Sequence, residues 1–129
     1  MTSVVLDASA VLALVRDEPG ADKVAPHVGR AAISAVNLQE VIKELLLSGL
    51  VEATVRELLD ELRLDLRPHD VGAAYAAAGL HAHTRQYGRG LGDRSCLALA
   101  MQLGVPALTG DREWKKVKVK GLRIELIRS

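Results

Sequence analysis

The chain has 129 residues, is 49% hydrophobic and 26% charged, and carries a net charge of +1. That length and apolar content suit one globular domain, residues 1–129, and exclude a disordered chain. Aromatics are 2% with no Phe, and Cys96 is the one cysteine, so the core must be aliphatic and no internal disulfide can form.

Val4-Val5-Leu6 is β-prone and ends abruptly in Asp7, which puts a carboxylate at the carboxyl end of a predicted strand. A helix is expected from about Ser9 to Arg16, stopped by Asp17-Glu18-Pro19-Gly20. Ala21 to Val28 reads as helical, and Ala31-Ala32-Ile33-Ser34 as a short strand. Asn37-Leu38-Gln39-Glu40 opens an amphipathic helix with Glu40 in its first turn, closed by Gly49. Val51 to Leu62 gives a second helix, so the two form a helical hairpin whose leucines also suit an oligomer interface. Leu64 to Arg67 alternates like an edge strand, and Asp70 caps a helix reaching about Thr84. A Gly-punctuated loop, Arg85 to Gly92, precedes a helix that starts at Asp93 and ends at Gly104. Val105 to Thr109 and Arg123 to Ile127 are the last two strands. Strands alternating with helices predict a mainly parallel sheet inside an α/β sandwich.

Four carboxylates stand where elements change: Asp7, Glu40, Asp93 and Asp111. Each has a bland reading. Asp7 and Asp93 suit helix caps, Asn37 and Glu40 fit a capping-box spacing, and Asp111 suits a turn. Together they are harder to dismiss, because strand ends and helix starts share one edge of a parallel sheet. Two unit charges about 4 Å apart repel by about 4 kcal/mol at an effective dielectric near 20. Proton uptake or a cation must relieve that, and Mg²⁺ or Mn²⁺ suits an all-carboxylate, water-retaining site. Such a site activates water and stabilises phosphoryl charge, which makes nucleic-acid phosphodiesters natural substrates.

The charge distribution adds to this. Residues 112–129 carry seven basic and two acidic groups, a surplus of five that leaves the rest of the chain at −4. A basic tail can meet a polyanion; the bland alternative is an edge strand guarded by lysines. Arg85, Arg89 and Arg94 stand in or beside the glycine loop, and Arg112, Lys115 and Lys116 follow Asp111. Of these, Arg89, Arg94, Arg112, Lys115 and Lys116 are the candidate nucleic-acid contacts.

Four stretches in order carry a family resemblance. Leu6-Asp7-Ala8-Ser9-Ala10, Ser34 to Glu40, Leu91-Gly92-Asp93-Arg94 through Ala100, and Leu108-Thr109-Gly110-Asp111-Arg112-Glu113-Trp114 resemble the motifs of PIN-domain ribonucleases. Within that family the chain is similar to the VapC toxins of bacterial toxin–antitoxin pairs, over essentially its whole length. The resemblance implies a three-layer α/β/α sandwich and a metal-dependent endoribonuclease cutting RNA, tRNA or rRNA among its substrates. Asp7, Glu40, Asp93 and Asp111 would carry one or two Mg²⁺ or Mn²⁺ ions, directly or through water. Ser9 and Thr109 would orient carboxylates or metal-bound water. It further implies a homodimer and a small VapB-like antitoxin whose tail covers the acidic site. The alternative is a PIN-fold RNA-processing nuclease, or an RNA-binding protein, with no toxin role.

Other features are set aside. His81-Ala82-His83 puts two imidazoles on different faces of a helix. His27 and His69 have no evident partner, Gly88-x-Gly90-x-Gly92 lacks the strand that a dinucleotide loop follows, and Cys96 reads as packed. No apolar run nears the roughly 20 residues of a membrane span. The N-terminus lacks the basic and long apolar regions of a signal peptide, so a cytoplasmic protein without membrane contact is expected.

Overall fold

The computed structural model describes residues 1–87 and 90–129. Its strands are β1 (Val4–Leu6), β2 (Ala31–Ser34), β3 (Asp65–Arg67), β4 (Ala107–Thr109) and β5 (Ile124–Leu126). They form one parallel sheet in the order β3-β2-β1-β4-β5. The chain steps outward from β1 to β2 and β3, then returns to the other side of β1 for β4 and β5. The carboxyl end of β1 is therefore the point where strand order reverses, and open α/β sheets bind ligands in the crevice at that end.

All three residues of β1 are buried, as a strand covered on both faces requires. Val4 and Leu6 point to one apolar cluster and Val5 to the other. The helices are α1 (Ala8–Val15), α2 (Ala21–Val24), α3 (Ala35–Leu47), α4 (Glu52–Glu61), α5 (Val71–Ala78) and α6 (Leu91–Leu103). Val11, Val24, Val41, Leu45 and Val55, from α1 to α4, pack with Val4, Leu6, Ile33 and Leu108. Ala77, Leu97 and Ala100, from α5 and α6, pack with Val5, Ala32 and Ala107 on the opposite face. The result is the expected three-layer sandwich, with α3 and α4 as the helical hairpin. Trp114, fully buried in the second cluster, is the largest core side chain.

Three local readings need correction, two of them through a cap. Helix α3 starts at Ala35, with no loop after β2, and its cap is Ser34, whose Oγ accepts the Asn37 N–H at 3.2 Å. Asn37 is thus inside the helix and Glu40 falls in the second turn, so these two do not form a capping box. Helix α6 starts at Leu91, one short step before Asp93. Asp93 is not the cap; its carboxylate reaches back to accept the Gly90 N–H at 3.1 Å. Helix α5 is capped by Asp70 as expected but ends at Ala78, and His81–His83 form a separate exposed 3-10 turn.

Gly104, at φ +68, terminates α6 in the left-handed conformation that favours glycine. The tail lysines lie beside the edge strand β5 and not on it. Lys115 and Lys116 lie on a 3-10 turn, Arg112–Lys116, and Lys118 and Lys120 on the loop before β5. Among the described residues, no helix is long and apolar enough to cross a membrane.

Candidate active site

Asp7 follows β1 directly, with its N–H bonded to the Leu108 carbonyl of β4 at 3.0 Å. It occupies the capping position of α1, yet its carboxylate makes no cap hydrogen bond. Two hydroxyls converge on one of its oxygens instead. Ser9 Oγ donates to Oδ2 at 2.8 Å and Thr109 Oγ1 at 2.9 Å. The same hydroxyls tie down the chain that leads to Asp111: Ser9 Oγ accepts the Gly110 N–H at 2.9 Å, and Thr109 Oγ1 accepts the Asp111 N–H at 3.0 Å. Ser9 and Thr109 therefore join β1, α1 and the end of β4 around one carboxylate.

Asp7 is buried, and burial pushes its carboxyl above the ordinary value of 3.8; the Ser9 and Thr109 hydroxyls oppose that rise and the charge of Glu40 adds to it. Asp93 is also raised, first by burial and then by the charges of Asp7 and Asp111. The Gly90 N–H pulls it the other way. So does the Trp114 indole, although its Nε1–H makes no hydrogen bond of ordinary length and angle and is the one such orphaned buried side-chain atom among the described residues. The four acids thus share one electrostatic neighbourhood. Buried Cys96, beneath them on α6, is pushed well up by burial and then by the charges of Asp7, Asp93 and Glu40, so it is an inert, packed thiol.

Glu40 is exposed but anchored. Asn37 Nδ2 donates to Glu40 Oε1 at 3.0 Å and to the Gly92 carbonyl at 3.0 Å. A side chain at Gly92 would meet the flexible end of Glu40, so the glycine leaves the Glu40 carboxylate its present place. Asp111 is exposed at the start of its 3-10 turn, and its carboxylate accepts the Glu113 N–H at 3.0 Å. Its bland role as a turn cap is real and coexists with its place at the acidic edge.

Among the described residues, no three His, Cys, Asp or Glu side chains stand close enough, as placed, to surround one ion. The donor set itself is hard, all-carboxylate oxygen, which matches Mg²⁺ or Mn²⁺ and no soft metal. Asp7 and Asp93 are burdened by burial and by neighbouring charge, Glu40 on the first and Asp7 and Asp111 on the second, which a cation would relieve. Asp7, Glu40, Asp93 and Asp111 are the residues that would hold such an ion, directly or through water.

The basic candidates divide. Arg94 is half-buried, donates through Nε to Thr84 Oγ1 at 2.8 Å, and lines a groove of about 620 Å³ together with Glu40, Lys43 and Gln39. Arg112 and Lys115 are exposed beside Asp111, and Lys116 sits 4.7 Å over the Tyr87 ring. Arg89 lies outside the described residues.

Sequence reasoning missed Ser34, Asn37, Gly92, Ser95 and His69 as a connected set. The only local signal is the three-residue spacing of Ser34, Asn37 and Glu40 along one helix start. The histidines do have partners: His27 Nδ1 is 3.1 Å from Ser3 Oγ and His69 Nδ1 is 3.0 Å from Ser95 Oγ.

Comparison with known proteins agrees with this geometry. Residues 4–120 match the family model described as PIN domain. No curated protein sequence is significantly similar to the chain. Among solved structures, it resembles DNA-bound VapBC from Salmonella typhimurium, with a TM-score of 0.69 at 23% identity, covering 98% of this chain and 99% of that one. A toxin–antitoxin complex from Klebsiella pneumoniae superposes with a TM-score of 0.72 at 16% identity, covering 93% and 95%. VapBC-5 from Mycobacterium tuberculosis covers 100% of both chains, with a TM-score of 0.59 at 23% identity.

Proposed function

The chain belongs to the PIN-domain family, and from that premise we propose that it is a divalent-metal-dependent endoribonuclease, the toxin member of a VapBC-type pair. The observation that carries this reading is the convergence of the Ser9 and Thr109 hydroxyls on Asp7 at the switch point, with Glu40, Asp93 and Asp111 in the same electrostatic field. Asp7, Glu40, Asp93 and Asp111 would hold Mg²⁺ or Mn²⁺, which when bound supplies an activated water and positive charge at the cleaved phosphodiester.

The chain's own residues do the rest. Ser9 and Thr109 fix the Asp7 carboxylate by occupying Oδ2 and keep it from swinging. Asn37 aims Glu40, and the Gly90 N–H holds Asp93. Arg94 in the groove, with Arg112, Lys115 and Lys116 beside Asp111, offers cations to RNA phosphates on either side of the acids. Arg89 belongs to the same group of expected RNA contacts. The likeness to VapBC complexes supports a small VapB-like antitoxin as partner; a cytoplasmic homodimer is the form that the family resemblance implies.

The test is cleavage of a structured RNA by purified protein in Mn²⁺ or Mg²⁺ and in EDTA, with Asp7→Ala as control. Cleavage in metal alone, abolished in the variant, is expected. Cleavage that persists in Asp7→Ala at equal purity, or none by the parent protein in either metal, overturns the assignment.

A further inference from the structure

Hydrogen bonds run without a break from His69 to Glu40, and their direction can be worked out by counting protons. The Asn37 side chain faces the Gly92 carbonyl at 3.0 Å, which can only accept, and the Glu40 carboxylate at 3.0 Å. Its Nδ2 must therefore point at them, and its Oδ1 must point back at Ser34. Ser34 Oγ then spends its one proton on Asn37 Oδ1, at 2.8 Å. The contact between Ser95 Oγ and Ser34 Oγ, at 2.9 Å, needs a proton, and only Ser95 has one left to give. Ser95 Oγ has none for His69, whose Nδ1 lies 3.0 Å away, so that nitrogen must donate. Ser34, Asn37 and Ser95 are all buried, at 3%, 0% and 3% exposure, so water cannot substitute for a missing partner.

We propose that His69 is a positioning residue for Glu40, acting through Ser95, Ser34 and Asn37. It carries its proton on Nδ1 and sets one orientation of every donor in the relay. This rests on the nuclease reading for what Glu40 does. The relay crosses three elements, since His69 stands between β3 and α5, Ser95 on α6, and Ser34 and Asn37 at the β2–α3 junction. It locks α6, which carries Asp93, to the helix that carries Glu40. Each link polarises the next in a low-dielectric interior, so a change at the His69 end is felt at the carboxylate. The sequence carries one asparagine, so a single side-chain amide reports on the far end.

The experiment uses the full chain in two parts. With ¹⁵N-histidine labelling, the His69 ring is expected to show a protonated Nδ1 at neutral pH, and with ¹⁵N-asparagine labelling the Asn37 amide gives one pair of resonances. His69→Leu is expected to move that pair and to lower kcat on structured RNA in Mn²⁺ by roughly ten- to hundredfold with KM held, the range for partners of metal-binding side chains. His69→Asn, whose amide N–H can replace Nδ1–H, is expected to restore the rate and to return the Asn37 pair to its parent position, beside the second pair that the new asparagine adds. A lone pair on Nδ1 in the parent protein overturns the relay, whether or not the leucine variant folds. So does an Asn37 amide that stays in place in His69→Leu. A parent protein that cleaves no RNA overturns the nuclease reading instead, while the labelled spectra still decide the relay.

Discussion

At the scale of single residues, Asp7 stands in a place where an ionised carboxylate is poorly tolerated without a cation. Burial raises the Asp7 and Asp93 carboxyls in the folded chain, so the folded state holds protons that the unfolded state has released. Metal-free stability from these groups is therefore greatest near the ordinary carboxylate value of 3.8 and below, and declines as pH rises through their folded values. Asp7→Asn, which keeps an oxygen for the Ser9 and Thr109 hydroxyls, is expected to raise the thermal midpoint in EDTA at pH 7.5. The scale is about 4 °C for each kcal/mol in a chain of this length. That advantage should narrow as pH falls towards 5. Thermal scans of both proteins across this range check it; an advantage that widens on acidification contradicts the sign. Gly92 gives the opposite kind of result. In a helix, Gly→Ala commonly stabilises by about 0.5–1 kcal/mol, yet here the added methyl displaces the flexible Glu40 carboxylate. Gly92→Ala should therefore keep or raise the midpoint while RNA cleavage falls at least roughly tenfold. Cleavage at the parent rate would remove Glu40 from the site.

At the scale of elements, much was legible because it depends on neighbours in sequence. Val4-Val5-Leu6, the Asp70 cap and the Gly104 stop are local signals, and each marks the element expected of it. The misread starts of α3 and α6 have a common cause. Ser34 and Asn37 are both good caps, as are Gly90 and Asp93, and only the backbone conformation decides which residue of each pair lies outside the helix. The His69–Ser95 contact spans 26 positions and the Thr109–Asp7 contact 102, so no local pattern could reveal the first. The second was anticipated only through the resemblance of whole motifs. The 3-10 turn Arg112–Lys116 shows what local charge does reveal. Its exposed Lys115 and Lys116, with Lys118 beyond, lie beside the edge strand β5 and not on it. Reversing all three to Glu should weaken RNA binding and flatten its dependence on salt. The log–log slope should fall by about 0.7 for each phosphate of a single strand that a lysine no longer neutralises. Binding titrations at several salt concentrations measure this, and an unchanged slope would leave those lysines without a role in holding RNA.

At the scale of the whole molecule, topology explains why acids so far apart in sequence come to one edge. All five strands run the same way, so their carboxyl ends and the helix starts that follow share one rim of the sheet. Asp7 and Asp111 leave β1 and β4, Glu40 rises on α3 from β2, and Asp93 arrives on α6, which packs across β1, β2 and β4. Most of the apolar packing lies in the two cores beneath this rim, so a change at Asp7 can alter chemistry and leave the fold standing. That separation is the central claim, and one comparison tests it most directly: cleavage of a structured RNA in Mn²⁺ by the parent protein and by Asp7→Asn, on samples whose midpoints in EDTA are also measured. A variant that is more stable without metal and yet no longer cleaves RNA is the predicted result. A variant that is less stable and still cleaves would make Asp7 an ordinary structural residue and contradict the account.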